Sequence, residues 1–518
     1  MTTNSSRTQN AIRNTKYSII SRVVTLILGF ISRTIFIYVL GSQYLGINGL
    51  YTELLSVLSF ADLGFGTAMT FAMYAPVAQQ DYVQTVRLLD FYKKIYRFVA
   101  LFILVAGLVL LPFLPYLVKG ADALSKSDLR LYFVLFLLNT VISYFVTYKF
   151  SYINALQQNW LITRINMILN TVTVIMQMIA ILLFRSFLIY LLTHTVLLLG
   201  SRIIIAIYLD RKYPLLREKP DTPLPAKERG AIFNEVKGLA VHKFASVAVH
   251  QTDNILISSL TELGVVAVGF VSNYNLLMNS VLAFISQIFD SVTSGFGNLV
   301  AASSRDNFRK VFRTANFINF WIYGFCCIAF YILIPPFITL WIGKDKLIDS
   351  VSFLLIIINC YLQGQCTVFN NARNAIGNFN KDKWWALAQA IVNLIVSIVC
   401  AKKFGLVGIY IGTVVSRLLY VFFRPYSTYK LMFERSSKEY YGDLMRSFIT
   451  VVGAGMITWL LTEKIIEEIT VSRFLLAAFF VAVVPNVIFY LVYHRTPVYA
   501  DMQRRIYGII HEKSKGRS

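Results

Sequence analysis

The sequence predicts an all-α polytopic membrane protein of about fourteen transmembrane helices, arranged as two pseudo-symmetric six-helix bundles plus two extra C-terminal helices. Three observations predict it. Of the 518 residues, 57% are hydrophobic and only 14% are charged, with a mean hydropathy of +0.61, whereas a soluble domain carries about 25% charged residues. Uncharged runs of spanning length recur at 98–118, 165–184, 314–343, 351–371 and 474–493. The remaining positive charge is distributed by side. No long alternating pattern of the β-barrel kind accompanies these runs.

Taken in order, the spans fall near 17–40, 46–75, 91–118, 129–150, 161–184, 187–209, 235–260, 264–299, 312–342, 350–372, 384–401, 406–429, 444–462 and 474–494. With a cytoplasmic N-terminus, the inside segments hold 38 of the 49 Lys and Arg and the outside connections hold 10, Arg33 being the remaining one. This positive-inside bias predicts that both termini are cytoplasmic. It also accounts for the net charge of +23 by basic loops facing lipid headgroups, so no nucleic-acid partner is expected. Sixteen mostly polar residues precede the first apolar stretch, which contains Arg33 and reads as a span rather than a cleaved signal. The five cysteines lie in apolar spans without metal-ligand spacing and read as small buried hydrophobes.

The longest polar connection, 210–231, contains Pro214, Pro220, Pro223 and Pro225 and reads as a cytoplasmic linker. It separates an N-terminal lobe (1–209) from a C-terminal lobe (232–435). Helices 13 and 14 (436–494) and a basic tail (495–518) follow. Internal echoes support the division. Asn139, Thr147, Asn154 and Ala155 recur as Asn359, Thr367, Asn374 and Ala375, and Ser201-Arg202 recurs as Ser416-Arg417. Two bundles repeated in one orientation are related by an axis along the membrane normal, with a site expected between them.

Polar residues inside the spans mark the candidate site, because a charge at membrane depth costs at least about 2.5 kcal/mol unless it faces protein or a wet cavity. Arg22, Gly29 and Arg33 share one face of the first helix, the two arginines about 16 Å apart along it. Arg33 is the candidate for a lumenal anion site, with a structural ion pair to an acid as its alternative. Asp62 lies beside Gly64 and Gly66, where a helix can bend. Asp290 precedes Gly295 and Gly297 in a similar arrangement. In the seventh span, His242, Lys243, Ser246, His250, Asp253 and Asn254 project within an arc of about 120°. Lys243 and His242 suit an anionic group, while His250 and Asp253 suit proton exchange in coupling. Asn275 and Asn279 in the eighth span suit sugar hydroxyls, which both donate and accept. Helix–helix hydrogen bonding is the structural alternative for these stripes. The sequence contains no Gly-rich nucleotide loop, HExxH or serine-nucleophile motif, so secondary transport is expected rather than enzymatic or ATP-driven work. No cofactor is expected beyond a coupling ion, H+ or Na+.

Beside this reading, the chain resembles the polysaccharide-transport flippases of the multidrug/oligosaccharidyl-lipid/polysaccharide exporter superfamily. The resemblance rests on Leu28-Gly29-Phe30-Ile31-Ser32-Arg33-Thr34-Ile35-Phe36, Tyr38-Val39-Leu40-Gly41, Tyr44-Leu45-Gly46 and Asn48-Gly49-Leu50. It continues through Ala61-Asp62-Leu63-Gly64-Phe65-Gly66-Thr67-Ala68 and Phe91-Tyr92-Lys93-Lys94. It implies translocation of a polyprenyl-diphosphate-linked oligosaccharide from the cytoplasmic to the outer leaflet of a bacterial plasma membrane, for capsule, exopolysaccharide or related polymer assembly. Membrane lipid, a polymerase and glycosyltransferases are the partners so implied. Relatives that flip the lipid-linked peptidoglycan precursor have Arg-Asp after a similar Leu-Gly-Phe, where this chain has Ser32-Arg33. That precursor, and a multidrug or cation substrate on the same fold, are the alternatives.

Overall fold

The structure, a computed structural model, describes residues 7–62, 64–121, 124–302, 305–376 and 383–515. Its elements are helices throughout. In order they are α1 (Arg7–Leu40), α2 (Ser42–Leu58), α3 (Phe65–Ala78), α4 (Tyr82–Leu110), α5 (Leu114–Leu117), α6 (Lys126–Ala155), α7 (Asn159–Phe184) and α8 (Phe187–Lys212). Then come α9 (Ala226–His250), α10 (Asp253–Leu260), α11 (Val265–Ala302), α12 (Arg305–Ile342), α13 (Ser350–Gln365) and α14 (Thr367–Ile376). The last four are α15 (Lys383–Thr428), α16 (Lys438–Ile466), α17 (Val471–Tyr493) and α18 (Pro497–Lys515).

Among the described residues, eleven helical segments are long and apolar enough to cross a membrane. The expected fourteen follow from how the helices break. The segment Trp384–Thr428 is two spans, because Gly405 leaves helical geometry (φ 54, ψ −126). The pairs α2/α3 and α9/α10 are spans interrupted partway: α2, α3 and α10 have 17, 14 and 8 residues, too short to cross alone, and α9, though 25 residues long, is not among the eleven. The chain is a multi-pass membrane protein. Several of its helix starts are capped by side chains that satisfy otherwise orphaned amides. Asp81 accepts from Gln84 N at 2.9 Å, Ser125 from Asp128 N at 3.1 Å and Asp349 from Ser352 N at 2.7 Å.

The chain divides into two compact units, Met1–Gly269 and Phe270–Ser518. In the first, α3, α4, α6 and α8 bury Met69, Tyr92, Tyr96, Ile153 and Leu209. The proline-rich connection after α8 is anchored to this core rather than loose. Leu216 and Leu224 are buried in it, Arg87 Nη2 donates to Thr222 Oγ1 at 2.5 Å, and Gln84 Nε2 donates to Glu228. In the second unit, α12 packs against α13, α16 and α17 around Phe312, Phe369 and Phe489. Of the cysteines, Cys326, Cys327, Cys360 and Cys366 are buried and Cys400 is half-buried, all with free thiols.

Candidate functional site

Arg33 is half-buried on α1, and Tyr190 of α8 is its electrostatic neighbour. One turn on, Phe36 packs edge-on against Phe187 and Tyr190, with ring centroids 6.0 and 5.3 Å away. These rings fix the start of α8 against α1, and Tyr190 also hydrogen-bonds the side chain of Gln177. Tyr190 and Gln177 line a cleft of about 510 Å³ whose other walls include Asn48, Thr52, Ser56, Asn139, Ser143 and His194. Asn139 Nδ2 and His194 Nδ1 are 3.2 Å apart, and Arg202 is close enough to His194 to act on its charge. The first unit thus holds a cleft walled by hydroxyls and carboxamides, which Arg33 does not itself line but to which its neighbour Tyr190 belongs. Such groups both donate and accept, the chemistry that a polyhydroxylated ligand demands. Arg22, also half-buried, lies nearer the N-terminal end of α1.

Asp62 ends a 3₁₀ turn, Ser59–Asp62, that follows α2. Gly64 then adopts a left-handed conformation (φ 82, ψ 15) and starts α3, a geometry that glycine reaches without steric penalty. Half-buried Asp62 acts electrostatically on Tyr96 and Tyr144, whose ring centroids are 6.0 Å apart. A Cβ on Gly66 would stand 2.9 Å from Tyr96 Oη. The glycine pair expected from the sequence is therefore an elbow, with Gly64 setting its angle and Gly66 its closeness to α4.

The seventh span differs from the single helix assumed in projecting its polar stripe. α9 ends at His250, α10 begins at Asp253, and Thr252 between them has φ −110 and ψ −16. A rotation of 100° per residue therefore does not carry from His250 to Asp253. The side chains of His242, Lys243 and His250 lie outside the described residues. Half-buried Asp253 opens α10 and is the electrostatic neighbour of Glu53 on α2. Glu53 accepts from Asn254 N at 2.9 Å and from Asn254 Nδ2 at 2.7 Å. A carboxylate on the exposed amides of a helix start favours the macrodipole, so α2 caps α10 across 201 residues of chain.

At the other end of α10 the backbones meet. A Cβ on Gly46 would stand 1.6 Å from Val265 O, on Gly269 2.2 Å from Ser42 O, and on Gly120 2.6 Å from Leu263 O. Val265 N donates to Lys119 O at 2.9 Å and Ser258 Oγ to Leu117 O at 2.6 Å. These glycines seal α2, α10 and the start of α11 together.

In the second unit, α11 carries Asn275 half-buried and Asn279 exposed, while the Asp290 side chain lies outside the described residues. A groove runs along α16 against α12 and α13. Its apolar stretch, about 350 Å³, is lined by Ile328, Leu354, Val451, Gly455 and Met456 among others. Tyr331, Ile332 and Trp459 continue it into a cavity of about 620 Å³ with Glu463, Lys464 and Glu467 at its polar end. Glu53 was not singled out from the sequence, although it interrupts an apolar run just as Asp62 does.

With this geometry in view, the fold has relatives among solved structures. The lipid II flippase MurJ in an inward closed conformation superposes with a TM-score of 0.66 at 15% identity, covering 93% of this chain and 99% of that one. An inward-facing multidrug resistance MATE family transporter of the MOP superfamily gives 0.60 at 15% identity, over 78% and 97%. The Vibrio cholerae MATE transporter VcmN gives 0.56 at 14% identity, over 83% and 98%. No protein-family model and no curated protein matches the sequence. At these identities the likeness shows the fold: the chain has the multi-helix architecture of MOP superfamily transporters.

Proposed function

We propose that the protein is a flippase that moves polyprenyl-diphosphate-linked oligosaccharide repeat units from the cytoplasmic to the outer leaflet of a bacterial plasma membrane, by cation-coupled alternating access. The observation that carries this reading is Arg33, a guanidinium within an apolar span whose electrostatic neighbour, Tyr190, lines a hydroxyl- and amide-walled cleft. A diphosphate carries a charge near −2, and its burial without a cation is prohibitive. Arg33, with Lys243, His242 and Arg22, would neutralise it, while the cleft walls and Asn275 and Asn279 would meet the sugar. The apolar groove on α16 suits the polyprenyl tail. Asp62, Asp253, Asp290 and His250 are the candidates for coupling H+ or Na+, with Gly64 and Gly66 at the moving elbow. The N- and C-termini lie in the cytoplasm in this reading, with a polymerase and glycosyltransferases as functional partners in capsule or exopolysaccharide assembly.

The likeness to a lipid II flippase over nearly the whole chain favours one second reading, transport of the lipid-linked peptidoglycan precursor. A cationic drug is the poorer substrate for a site built on arginine. The test is flipping of a fluorescent polyprenyl-diphosphate oligosaccharide by the purified protein in liposomes. Arg33→Ala at normal expression is expected to abolish it and Arg33→Lys to retain part, since lysine keeps the charge but not the planar fork. Undiminished flipping by Arg33→Ala rejects the role, and flipping of a peptide-bearing precursor alone selects the second reading.

A further inference from the structure

A cavity of about 180 Å³ lies inside the second unit, where α12 and α16 begin, α17 ends and α18 starts. In the proposed topology this end faces the cytoplasm. Its wall includes Gln365, which closes α13, and Arg446 and Ser447 of α16. Val498, in the first turn of α18, lines it as well. Gln365 is only 5% exposed, yet its Nε2 has no hydrogen-bond acceptor among the described residues. A buried amide left unpaired is costly. In a cavity wall it points to an acceptor that a ligand brings.

Two more donor groups border the same cavity. Arg446 is exposed, and its guanidinium lies over the Tyr493 ring, 4.9 Å from the centroid, while Nη2 donates to Val492 O at 3.1 Å. A ring and a carbonyl steady the fork without cancelling its charge. The second group is the start of α18. Pro497 has no N–H, Thr496 turns its hydroxyl to Tyr493 O at 2.7 Å, and the first bond of the helix runs from Ala500 N to Thr496 O at 3.2 Å. The amides of Val498 and Tyr499 therefore lie in the unpaired first turn, the positive end of a 19-residue helix. Arg313 and Asp443, also in the wall, already engage each other at 3.0 Å, and Arg313 meets Glu439 at 2.6 Å.

We propose that Gln365, Arg446 and the start of α18 form a site for a phosphate group. Phosphate oxygens accept from several directions at once, which suits donors arriving from three helices. Helix starts and guanidinium forks both favour its charge. A phospholipid headgroup and a free phosphate share this chemistry. The site lies wholly in the second unit and goes beyond the reading built on Arg33, so either can fail alone.

The experiment is calorimetric titration of the full chain in maltoside micelles, which carry no phosphate, with inorganic phosphate and, separately, with phosphatidylglycerol. One saturable site is expected. Arg446 is exposed, so Arg446→Gln keeps the fold, and it is expected to weaken binding about tenfold by removing a charge-assisted bond. Gln365→Leu is the second variant. It replaces an unpaired amide with an apolar group of similar size, so it is expected to melt no lower than the parent while binding more weakly, a split that a mere packing role does not produce. Arg495→Gln, close to the start of α18 but outside the cavity wall, and Arg33→Gln are controls expected to bind like the parent. Saturation by phosphatidylglycerol alone identifies a lipid headgroup as the source, and saturation by inorganic phosphate identifies a free phosphate. No saturable binding of either probe, binding that Arg446→Gln leaves unchanged, or an equal loss in either control overturns the proposal.

Discussion

Both carboxylate oxygens of Glu53 are taken by a single residue, Asn254, through its backbone N at 2.9 Å and its Nδ2 at 2.7 Å. This pair holds the break in the seventh span against α2, at the point where Asp253 opens α10. The bonds are half-buried, and leaving Asn254 N and Nδ2 without their acceptor is worth about 1–3 kcal/mol. Glu53→Ala is therefore expected to lower the melting temperature of the purified protein clearly. Glu53→Gln, which keeps an acceptor for Nδ2, is expected to lower it less. Equal melting of all three proteins would show that α10 needs no cap from α2.

The glycine seal makes a sharper prediction. At Gly46 a Cβ would meet a backbone carbonyl at 1.6 Å, and backbone cannot swing aside as a side chain can. Gly46→Ala must separate α2 from the start of α11, at a cost of about 1–3 kcal/mol. Gly29, whose Cβ would meet nothing within 4 Å, is the control: Gly29→Ala is expected to be neutral or slightly stabilising. Thermal unfolding of the two variants side by side checks this.

Much of the fold was legible because membrane spans write themselves in long uncharged runs, which depend on composition rather than on tertiary detail. The breaks were legible only where a special residue marks them. Gly64 marks one, but the α9/α10 break at Gln251 and Thr252 has neither glycine nor proline, and its stabilising partner, Glu53, lies far away in the sequence. Arg417 and Arg424 were counted with the cytoplasmic charge, yet α15 carries both into the interior. A count of charges by side cannot tell a headgroup-facing arginine from one folded inward. The echoes of Arg202 in Arg417 and of Asn139 in Asn359 were visible as a repeat, but not the hydrogen bond that Arg417 Nε donates to Asn359 Oδ1.

Lys149 Nζ lies 2.7 Å from Asp210 Oδ1, with side-chain exposures of 6% and 23%. An ion pair this enclosed costs much desolvation, so its presence is weak evidence for net stabilisation. Removal of one partner is another matter, since it strands the other charge, at about 3–5 kcal/mol for a fully buried pair. Lys149→Met and Asp210→Leu are each expected to destabilise the first unit. The double variant is expected to recover most of the loss. A double variant as unstable as the sum of the singles would mean that the two side chains act independently.

The elbow at Gly64 and Gly66 separates two kinds of glycine requirement. Gly64 is needed for its left-handed backbone, which costs an alanine about 1–2 kcal/mol wherever its side chain points. Gly66 has helical geometry and is constrained only by Tyr96 Oη, 2.9 Å from where a Cβ would stand. Gly66→Ala should therefore be relieved by Tyr96→Phe, which deletes the clashing oxygen, and Gly64→Ala should not be. If the elbow flexes during transport, Gly64→Ala should also slow flipping of the fluorescent lipid-linked sugar beyond what its stability loss explains, whereas the Gly66→Ala, Tyr96→Phe pair should flip at near the parent rate. Rescue of Gly64→Ala by Tyr96→Phe would place its requirement in packing instead of backbone angle.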